Sequence, residues 1–230
     1  MITLYELAGA EADRRFSPFC WRIRLALLHK GLEFETIPWR FTDKEAIAFA
    51  GAEKVPVLVD GSRSLQDSPV IADYLEEAYP DRPSLFGGTT GRALSRFVLD
   101  WTESVIGPAL FRMVVLDIHD HLAPQDQDYF RRSREARVGS TLEAYCADRE
   151  RRLDDFRASL APLRRTLGQQ PFLCGEGPAW ADYVVFGHFQ WARCISPLKL
   201  LAADDPVHHW RGRMLALFNG AAGKAKGYAV

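Results

Sequence analysis

The hydrophobic pattern of this sequence changes its period once, and that change limits the folds the chain can adopt. Up to about residue 78, short strand-like and helix-like segments alternate. Beyond residue 91 the pattern is helical and predicts five or so helices, and a Pro/Gly-rich stretch separates the two parts. The sequence therefore predicts an α/β domain over 1–78, a linker over 79–90 and an all-α domain over 91–230.

The first part of the chain predicts the element order β-α-β-α-β-β-α. Cys20, Ile23 and Leu27 recur at helical spacing, and 55–60 is a nearly continuous apolar run, typical of a strand buried on both faces. The predicted segments are a strand over 2–7, a helix over 17–30, a strand over 32–38, a short helix over 42–51, strands over 55–60 and 62–65, and a helix from residue 68.

Composition argues against two functional classes. The formal net charge of the 230 residues is −1, without the basic excess of most nucleic-acid binders, so no nucleic-acid partner is expected. Basic runs such as Arg131-Arg132 with Arg134 alternate with acids, as on a solvated helix face. No stretch has the length and apolar character of a membrane span or signal peptide, so we expect a cytoplasmic protein without membrane contact.

Cysteine and histidine spacing does not indicate a metal site. The four cysteines are scattered and form no Cys-x-x-Cys pair, so neither a zinc site nor a disulfide framework is expected. His119 and His121 lie two residues apart in a predicted helix, where side chains at that spacing point in different directions. We therefore expect no bound metal.

The segment Ser17-Pro18 is the first candidate for chemistry. Serine favours the N-cap and proline the first helical position, so the Ser17 hydroxyl is expected at the positive end of a helix dipole. Free N–H groups and a hydroxyl there could hold an anion such as a thiolate, or Ser17 could be a helix cap only. Cys20, one turn later, is either a small buried hydrophobe or a reactive thiol.

Two further segments could bind an extended peptide. Pro56 cannot donate to a sheet, so Val55-Pro56 is either the start of a strand or a cis peptide that turns the Val55 main chain toward a ligand. Ser68 is predicted as an N-cap with Pro69 as the first helical residue, which would offer a second helix N-terminus to a carboxylate. Asp67 could pair with an ammonium group, or the segment could be a well-capped helix only.

Three segments form a set: Ser17-Pro-Phe-Cys-Trp-Arg, Lys54-Val-Pro-Val-Leu-Val-Asp-Gly and Leu65-Gln-Asp-Ser-Pro-Val-Ile-Ala-Asp-Tyr-Leu. This set resembles the glutathione-binding domain of cytosolic glutathione transferases of the serine type. The resemblance implies a thioredoxin-like fold, an all-helical second domain, a homodimer, and glutathione as the co-substrate whose thiol Ser17 activates. It also implies a cis Pro56 and a glutathione site made of Lys54, Val55 and Pro56, with Asp67 and Ser68 on the γ-glutamyl group.

A narrower resemblance rests on Pro38-x-x-Phe-Thr, Ile106-Gly-Pro, Leu116-Asp-Ile-His-Asp, Pro124-Gln-Asp-Gln-Asp-Tyr and Ser133-Arg-Glu. These segments are similar to the bacterial β-aryl-etherase branch, which implies that the thiolate attacks a carbon bearing an aryloxy group and that phenolate leaves. Three alternatives remain: a glutathione-dependent isomerase or dehalogenase, a non-catalytic ligand-binding homologue, and a thiol-disulfide enzyme that uses Cys20.

The sequence departs from the family pattern at one helix cap of the second domain. Related second domains have a Ser, Thr or Asn cap three residues before the aspartate at position 182, where this chain has Ala179. The reciprocal cap is therefore expected to be incomplete.

The second substrate is expected to be a hydrophobic electrophile, bound in a pocket between the two domains. Core packing is an alternative explanation for each of its candidate walls. These are Phe19, Trp39, Phe41, Trp101, Phe111 and Tyr129.

Overall fold

A four-stranded mixed sheet forms the centre of the first domain. The computed structural model describes residues 1–229. Its strands are β1 (Ile2–Leu7), β2 (Phe34–Trp39), β3 (Val57–Asp60) and β4 (Arg63–Gln66). Their order in the sheet is β2-β1-β3-β4; β1 is parallel to β2, while β3 is antiparallel to both β1 and β4.

The helices of the first domain complete the predicted element order. Helix α1 (Pro18–His29) connects β1 to β2, and α2 (Ser68–Ala78) follows β4. The short helix expected before β3 is a six-residue 3-10 helix, Glu45–Ala50. The order β-α-β-α-β-β-α is confirmed, and with it the thioredoxin-like fold class of this domain.

Strand β3 differs from its prediction in two respects. It begins two residues later than expected, because Pro56 has no N–H to contribute to the ladder. Val57 and Leu58 are fully buried, whereas Val59 and Asp60 are only partly buried. The expectation of a strand covered on both faces is therefore wrong for its second half.

The second domain is helical, as predicted, but it contains more helices than expected. Eight α-helices lie within residues 89–229, where five or so were predicted. The difference arises from three helices of only five to eight residues, which are too short to show a clear hydrophobic period. None of the helices within residues 1–229 has the length and apolar character needed to span a bilayer. The elements are α3 (Thr89–Trp101), a π-helical turn (Thr102–Ile106), α4 (Gly107–Asp120), α5 (Pro124–Val138), α6 (Leu142–Cys146), α7 (Arg152–Ser159), α8 (Ala161–Leu167), α9 (Trp180–Ile195) and α10 (Pro206–Gly220).

Helix α1 joins the two domains. It contacts β1 and α2 of its own domain and packs against α9 of the second domain. A Cβ atom at Gly187 would lie 2.5 Å from the carbonyl oxygen of Pro18, so the close approach of the two helices requires glycine at this position. The first turn of α1 is thereby held against the second domain.

A buried aspartate organises the start of α9. The carboxylate of Asp182 accepts hydrogen bonds from the main-chain N–H groups of Leu173 (2.8 Å), Cys174 (3.2 Å) and Ala179 (3.2 Å), and from Nε1 of Trp210 (2.9 Å). Because Ala179 has no side-chain oxygen, only the aspartate half of a reciprocal cap is formed. The carboxylate compensates by also binding the two N–H groups of the preceding turn.

We expect Asp182→Ala to destabilise the fold by about 3–5 kcal/mol, because four donors, one of them the buried indole N–H of Trp210, lose their acceptor at once. Urea denaturation measures the free energy of unfolding. Asp154→Ala is the matched control, since that side chain is 92% exposed and its removal should change the stability by less than about 0.5 kcal/mol. Equal stability of the two variants would contradict this account of Asp182.

Candidate functional site

A cleft of about 570 Å³ lies between the two domains. One wall comes from the first domain, chiefly the start of α1 and the segment before β3, and the other comes from α4, α5 and α9. Eight of the predicted site residues line it: Ser17, Phe19, Trp39, Phe41, Lys54, Val55, Phe111 and Tyr129. The two segments predicted to act on the same ligand, around Ser17 and around Val55, therefore open into the same space.

Ser17 is the N-cap of α1 and also lines the cleft. Its backbone is extended (φ −60°, ψ 125°), Pro18 is the first helical residue, and Oγ accepts a hydrogen bond from the N–H of Cys20 at 3.3 Å. A serine hydroxyl has one donor besides its acceptor sites, so capping leaves its proton available to a group in the cleft. Cap and anion site, which the sequence left as alternatives, are compatible in this geometry.

The structure places Cys20 in the core rather than at the cleft. Its side chain is 1% exposed, and Sγ lies 4.0 Å from the main-chain oxygen of Tyr5. Burial, followed by the nearby Glu6, raises the pKa of this thiol to about 12. A protonated, enclosed thiol is a poor nucleophile, so the geometry favours the structural interpretation of Cys20.

The segment before β3 contributes two residues to the lining of the cleft. The peptide bond Val55–Pro56 is cis, and Lys54 and Val55 line the cleft while Pro56 does not. Val57 pairs with Gln66 across the β3–β4 hairpin, so the chain leaves both strands side by side, and Asp67 follows next to this segment. Asp67 and Ser68, both predicted to bind the same ligand, are not part of the lining of the cleft.

The start of α2 differs by one residue from its prediction. Asp67, not Ser68, is the N-cap, and Ser68 is already the first helical residue. Asp67 has a positive φ of 74° and its side chain caps no N–H of the helix. A positive φ is uncommon for a residue other than glycine and occurs often at ligand sites. The sequence predicted Ser68 as the cap of this helix. In the structure the N-cap is Asp67, and its carboxylate is not used for capping.

The predicted aromatic walls are brought together with one exception. Phe19, Phe41, Phe111 and Tyr129 line the cleft, and the rings of Phe41 and Tyr129 are 6.4 Å apart. Trp39 also lines it but is 2% exposed, so it is mainly a core residue. Trp101 does not line the cleft; it lies at the end of α3, where it packs partly buried against the core.

A polar cluster around the buried Arg22 was not predicted. Arg22 on α1 is 1% exposed; its Nη2 atom donates to Oε1 of Glu103 (2.5 Å) and lies 3.3 Å from Nδ1 of His188. Burial, followed by Arg22, lowers the pKa of His188 to about 3, so this ring is neutral at physiological pH. Glu103 belongs to the π-helical turn, a distortion found frequently at functional sites. These residues are 81 and 166 positions apart from Arg22, and no local sequence signal connects them.

Two arginines of α5 also line the cleft and were missed. Arg134 and Arg137 face the cavity beside Phe130. The interpretation of this basic run as a solvated helix face is wrong for Arg134, which lines the cleft and packs against the rings of Phe41 and Phe130. It holds for Arg131, which binds Glu135 and Glu143. Helical spacing from Phe130 was the available signal, since residues 130, 134 and 137 share one face.

The two histidines considered for a metal site have separate partners. Nδ1 of His119 lies 3.5 Å from Asp120, and Nε2 of His121 lies 3.1 Å from the hydroxyl of Tyr228. Across the part of the chain that the structure describes, no group of three or more potential ligands could hold a metal ion.

Comparison with known proteins identifies both parts of the chain. Residues 12–83 match the family model "Glutathione S-transferase, N-terminal domain", and residues 93–214 match "Glutathione S-transferase, C-terminal domain". The second match alone spans more than half of the chain. The boundary between the two matches falls in the stretch that connects α2 to α3.

Individual relatives agree with the family matches. The chain is 25% identical over 203 residues to "Probable glutathione S-transferase GSTU6" of Oryza sativa, covering 83% of this chain and 75% of the relative. The crystal structure of glutathione transferase GSTFuA3 from Phanerochaete chrysosporium has a TM-score of 0.77 and 27% identity, covering 95% of this chain and 92% of that one. A glutathione S-transferase of Ceriporiopsis subvermispora, crystallised with glutathione, has a TM-score of 0.79 and 24% identity, covering 95% and 96%.

We expect the thiol of Cys20 to resist alkylation in the folded protein, because it is buried and its pKa is raised to about 12. The native protein is treated with iodoacetamide at pH 8, and labelling of the peptide that contains Cys20 is measured by mass spectrometry. The same protein unfolded in urea provides the control and should be labelled fully. Labelling of the native thiol as fast as in urea would restore the redox interpretation.

Proposed function

This chain belongs to the glutathione S-transferase family, and from that premise we propose that it is a serine-type transferase that adds the glutathione thiolate to an electrophilic carbon. The observation that carries the proposal is the hydroxyl of Ser17, placed at the N-terminus of α1 and in the lining of the cleft. Ser17 donates a hydrogen bond to the sulfur anion and forms no covalent bond with it. The proton of the thiol leaves to solvent, and the leaving group departs with its bonding electrons when the new C–S bond forms.

The energy required is within reach of this arrangement. An unperturbed cysteine thiol has a pKa of about 8.5, and lowering it by two units requires about 2.7 kcal/mol of preferential stabilisation of the anion. A hydrogen bond to a charged group contributes about 1.5–3 kcal/mol, and the end of a helix dipole about 0.3–1 kcal/mol. Ser17 and the first turn of α1 together supply that order of magnitude, so no histidine–aspartate relay is needed.

The remaining first-domain residues suit the rest of the tripeptide. Val55 lines the cleft, where its main chain can pair with an extended peptide, and Lys54 adds a positive charge beside it. The carboxylate of Asp67 caps no N–H of α2 and is suitable for the α-ammonium of a γ-glutamyl group. Ser68 begins α2, whose first N–H groups can bind the α-carboxylate of the same γ-glutamyl group. Glutathione is present in the Ceriporiopsis relative, which supports this assignment.

The aromatic wall supports an aromatic acceptor. Phe19 and Phe41 line the first-domain wall of the cleft, and Phe111 lines the second-domain wall. A hydrophobic electrophile with an aryl group fits between these apolar rings. In the β-aryl-etherase form of the proposal, the thiolate attacks the carbon that bears the aryloxy group, and phenolate leaves. A glutathione-dependent isomerase or dehalogenase, and a non-catalytic ligand-binding homologue, share the first half of the site and differ in the acceptor.

A homodimer and a cytoplasmic location are part of the proposal. Val70 on α2 and Leu94 and Phe97 on α3 are 51%, 64% and 72% exposed, which is unusual for large apolar side chains. Arg92 links the two helices through Asp73 (3.1 Å). The exposed apolar residues therefore lie on neighbouring elements, and a second copy of the chain would remove them from water.

We expect Ser17→Gly to lower kcat for thiol transfer by about 10–100-fold, because the bound thiol loses its charge-stabilising hydroxyl. Glycine is chosen because it is tolerated at an N-cap, so the fold loses only a few tenths of a kcal/mol. Turnover of chlorodinitrobenzene is measured across pH; the rate profile should move to higher pH while the KM for glutathione changes little. Ser17→Thr, which keeps the hydroxyl, is the control and should retain much of the activity. Unchanged turnover in Ser17→Gly would remove Ser17 from the mechanism.

The same assay, run on a β-aryl ether with release of its phenol as the readout, tests the etherase branch separately. Turnover of chlorodinitrobenzene without phenol release would leave a transferase with a different acceptor.

We expect Leu94→Glu combined with Phe97→Glu to convert a dimer into a monomer, because each substitution places a charge in an apolar contact. Both side chains are exposed in the single chain, so the fold itself should be unaffected. Sedimentation velocity gives the oligomeric state, and Ala136→Glu, on the exposed side of α5, is the control. A wild-type protein that sediments as a monomer would contradict the dimer.

A further inference from the structure

We propose that Arg134 and Arg137 form an anion site in the cleft, so that the preferred electrophiles are aromatic compounds bearing a carboxylate or similar acidic group. The inference rests on the proposed function, which leaves the acceptor open, and it specifies the chemical class of that acceptor. It concerns the second-domain wall of the cleft, opposite the residues assigned to glutathione.

The two guanidinium groups are held in place by aromatic rings. The central carbon of the Arg134 guanidinium lies 4.7 Å from the ring centre of Phe130 and 5.1 Å from that of Phe41, and Nη1 donates to Ser133 Oγ (2.9 Å). The Arg137 guanidinium lies 4.5 Å from the ring centre of Phe111. An aryl acceptor between these rings would bring its substituents within reach of both cations.

Neither arginine has an acidic partner within residues 1–229. Burial lowers the pKa of Arg134; the nearby Tyr129 raises it and Arg137 lowers it, so the two arginines repel each other. Arg131 on the same helix forms ion pairs with Glu135 (3.0 Å) and Glu143 (2.8 Å). Arg134 is partly buried and Arg137 is exposed. Two like charges on one helix face that have no acidic partner repel each other, and a bound anion would remove this repulsion. A planar carboxylate suits the donors of arginine.

The other charges of the cleft leave this role open. Glu103 is bound by Arg22, so its charge is compensated. Lys44 donates to the main-chain oxygen of Glu53 (2.6 Å), next to the segment assigned to glutathione, so it and Lys54 can serve the carboxylate of the tripeptide. The arginines are thus the cations that remain for a second ligand.

The reaction itself is unchanged by this site. The thiolate forms the C–S bond, the C–X bond breaks, and X leaves with the electron pair. The acidic group of the acceptor stays ionised, binds the arginines and does not react.

The test compares an acid with its uncharged ester. Chlorodinitrobenzoate and its methyl ester react by the same displacement of chloride and differ in charge at the carboxyl group. Arg134→Met with Arg137→Met keeps the apolar stems and removes both charges; Arg132→Met, an exposed arginine of the same helix, is the matched control. In the double variant we expect the acid-to-ester ratio of kcat/KM to fall at least tenfold, with no change of the ratio in the control.

Binding of a fluorescent probe separates this inference from the proposed function. Anilinonaphthalene sulfonate is anionic, and phenylnaphthylamine is its uncharged counterpart; neither requires turnover. The double variant should lose at least tenfold more affinity for the anionic probe than for the uncharged one. This result is expected even if the wild type converts neither benzoate compound. Absence of turnover would count against the proposed function and not against the anion site.

Three results would overturn the anion site. The first is an equal loss for the acid and the ester, which would indicate a structural role for the arginines. The second is a rise in the KM for glutathione alone, which would assign the pair to the tripeptide and leave the transferase proposal intact. The third is equal probe affinities in the wild type and the double variant.

Discussion

The close packing of α1 against α9 determines where the candidate site lies. Gly187 allows the carbonyl group of Pro18 to approach α9, so the first turn of α1 is fixed in the wall between the domains. Ser17 caps that turn, so its hydroxyl is positioned by the cap geometry. A donor that is already in place when charge develops needs no reorganisation, which is the condition for strong electrostatic stabilisation. A looser interface would leave the same residues present but poorly oriented.

The same interface buries a charge and compensates it. Arg22, one turn after Ser17, would be costly in the interior without a partner, and Glu103 supplies one from the other domain. His188 is neutral and can only accept from Arg22 at Nδ1, because a guanidinium has no acceptor. This arrangement joins the domains through a directional contact in addition to apolar packing. It also compensates the charge of one carboxylate that lines the cleft, which leaves two lysines and two arginines against the single carboxylate of Glu53 in that lining.

The sequence predicted what depends on neighbouring residues and missed what depends on distant ones. The cap at Ser17 and the β3–β4 hairpin are local, and both were found within two residues. The N-cap of α2 was misplaced by one position, because the positive φ of Asp67, the actual N-cap, leaves no mark in composition. The pairing of Arg22 with Glu103 spans 81 positions and has no local pattern. Arg134 was misread because Glu135, the acid next to it in sequence, pairs with Arg131 instead.

The same positively charged side chains of the cleft affect both thiol activation and acceptor binding. Two unit charges about 8 Å apart interact by roughly 2 kcal/mol at an effective dielectric constant of 20, so cations anywhere in a cleft of this size act on a thiolate at Ser17. The hydroxyl supplies a directed contact, whereas Lys54, Arg134 and Arg137 supply a field that acts on any anion in the cleft. An acidic acceptor bound to the arginines neutralises part of that field, while an uncharged acceptor leaves it intact for the sulfur. Removing an arginine therefore changes the thiolate and the acceptor together, and the two effects separate only when the charge of the acceptor is varied along with the protein.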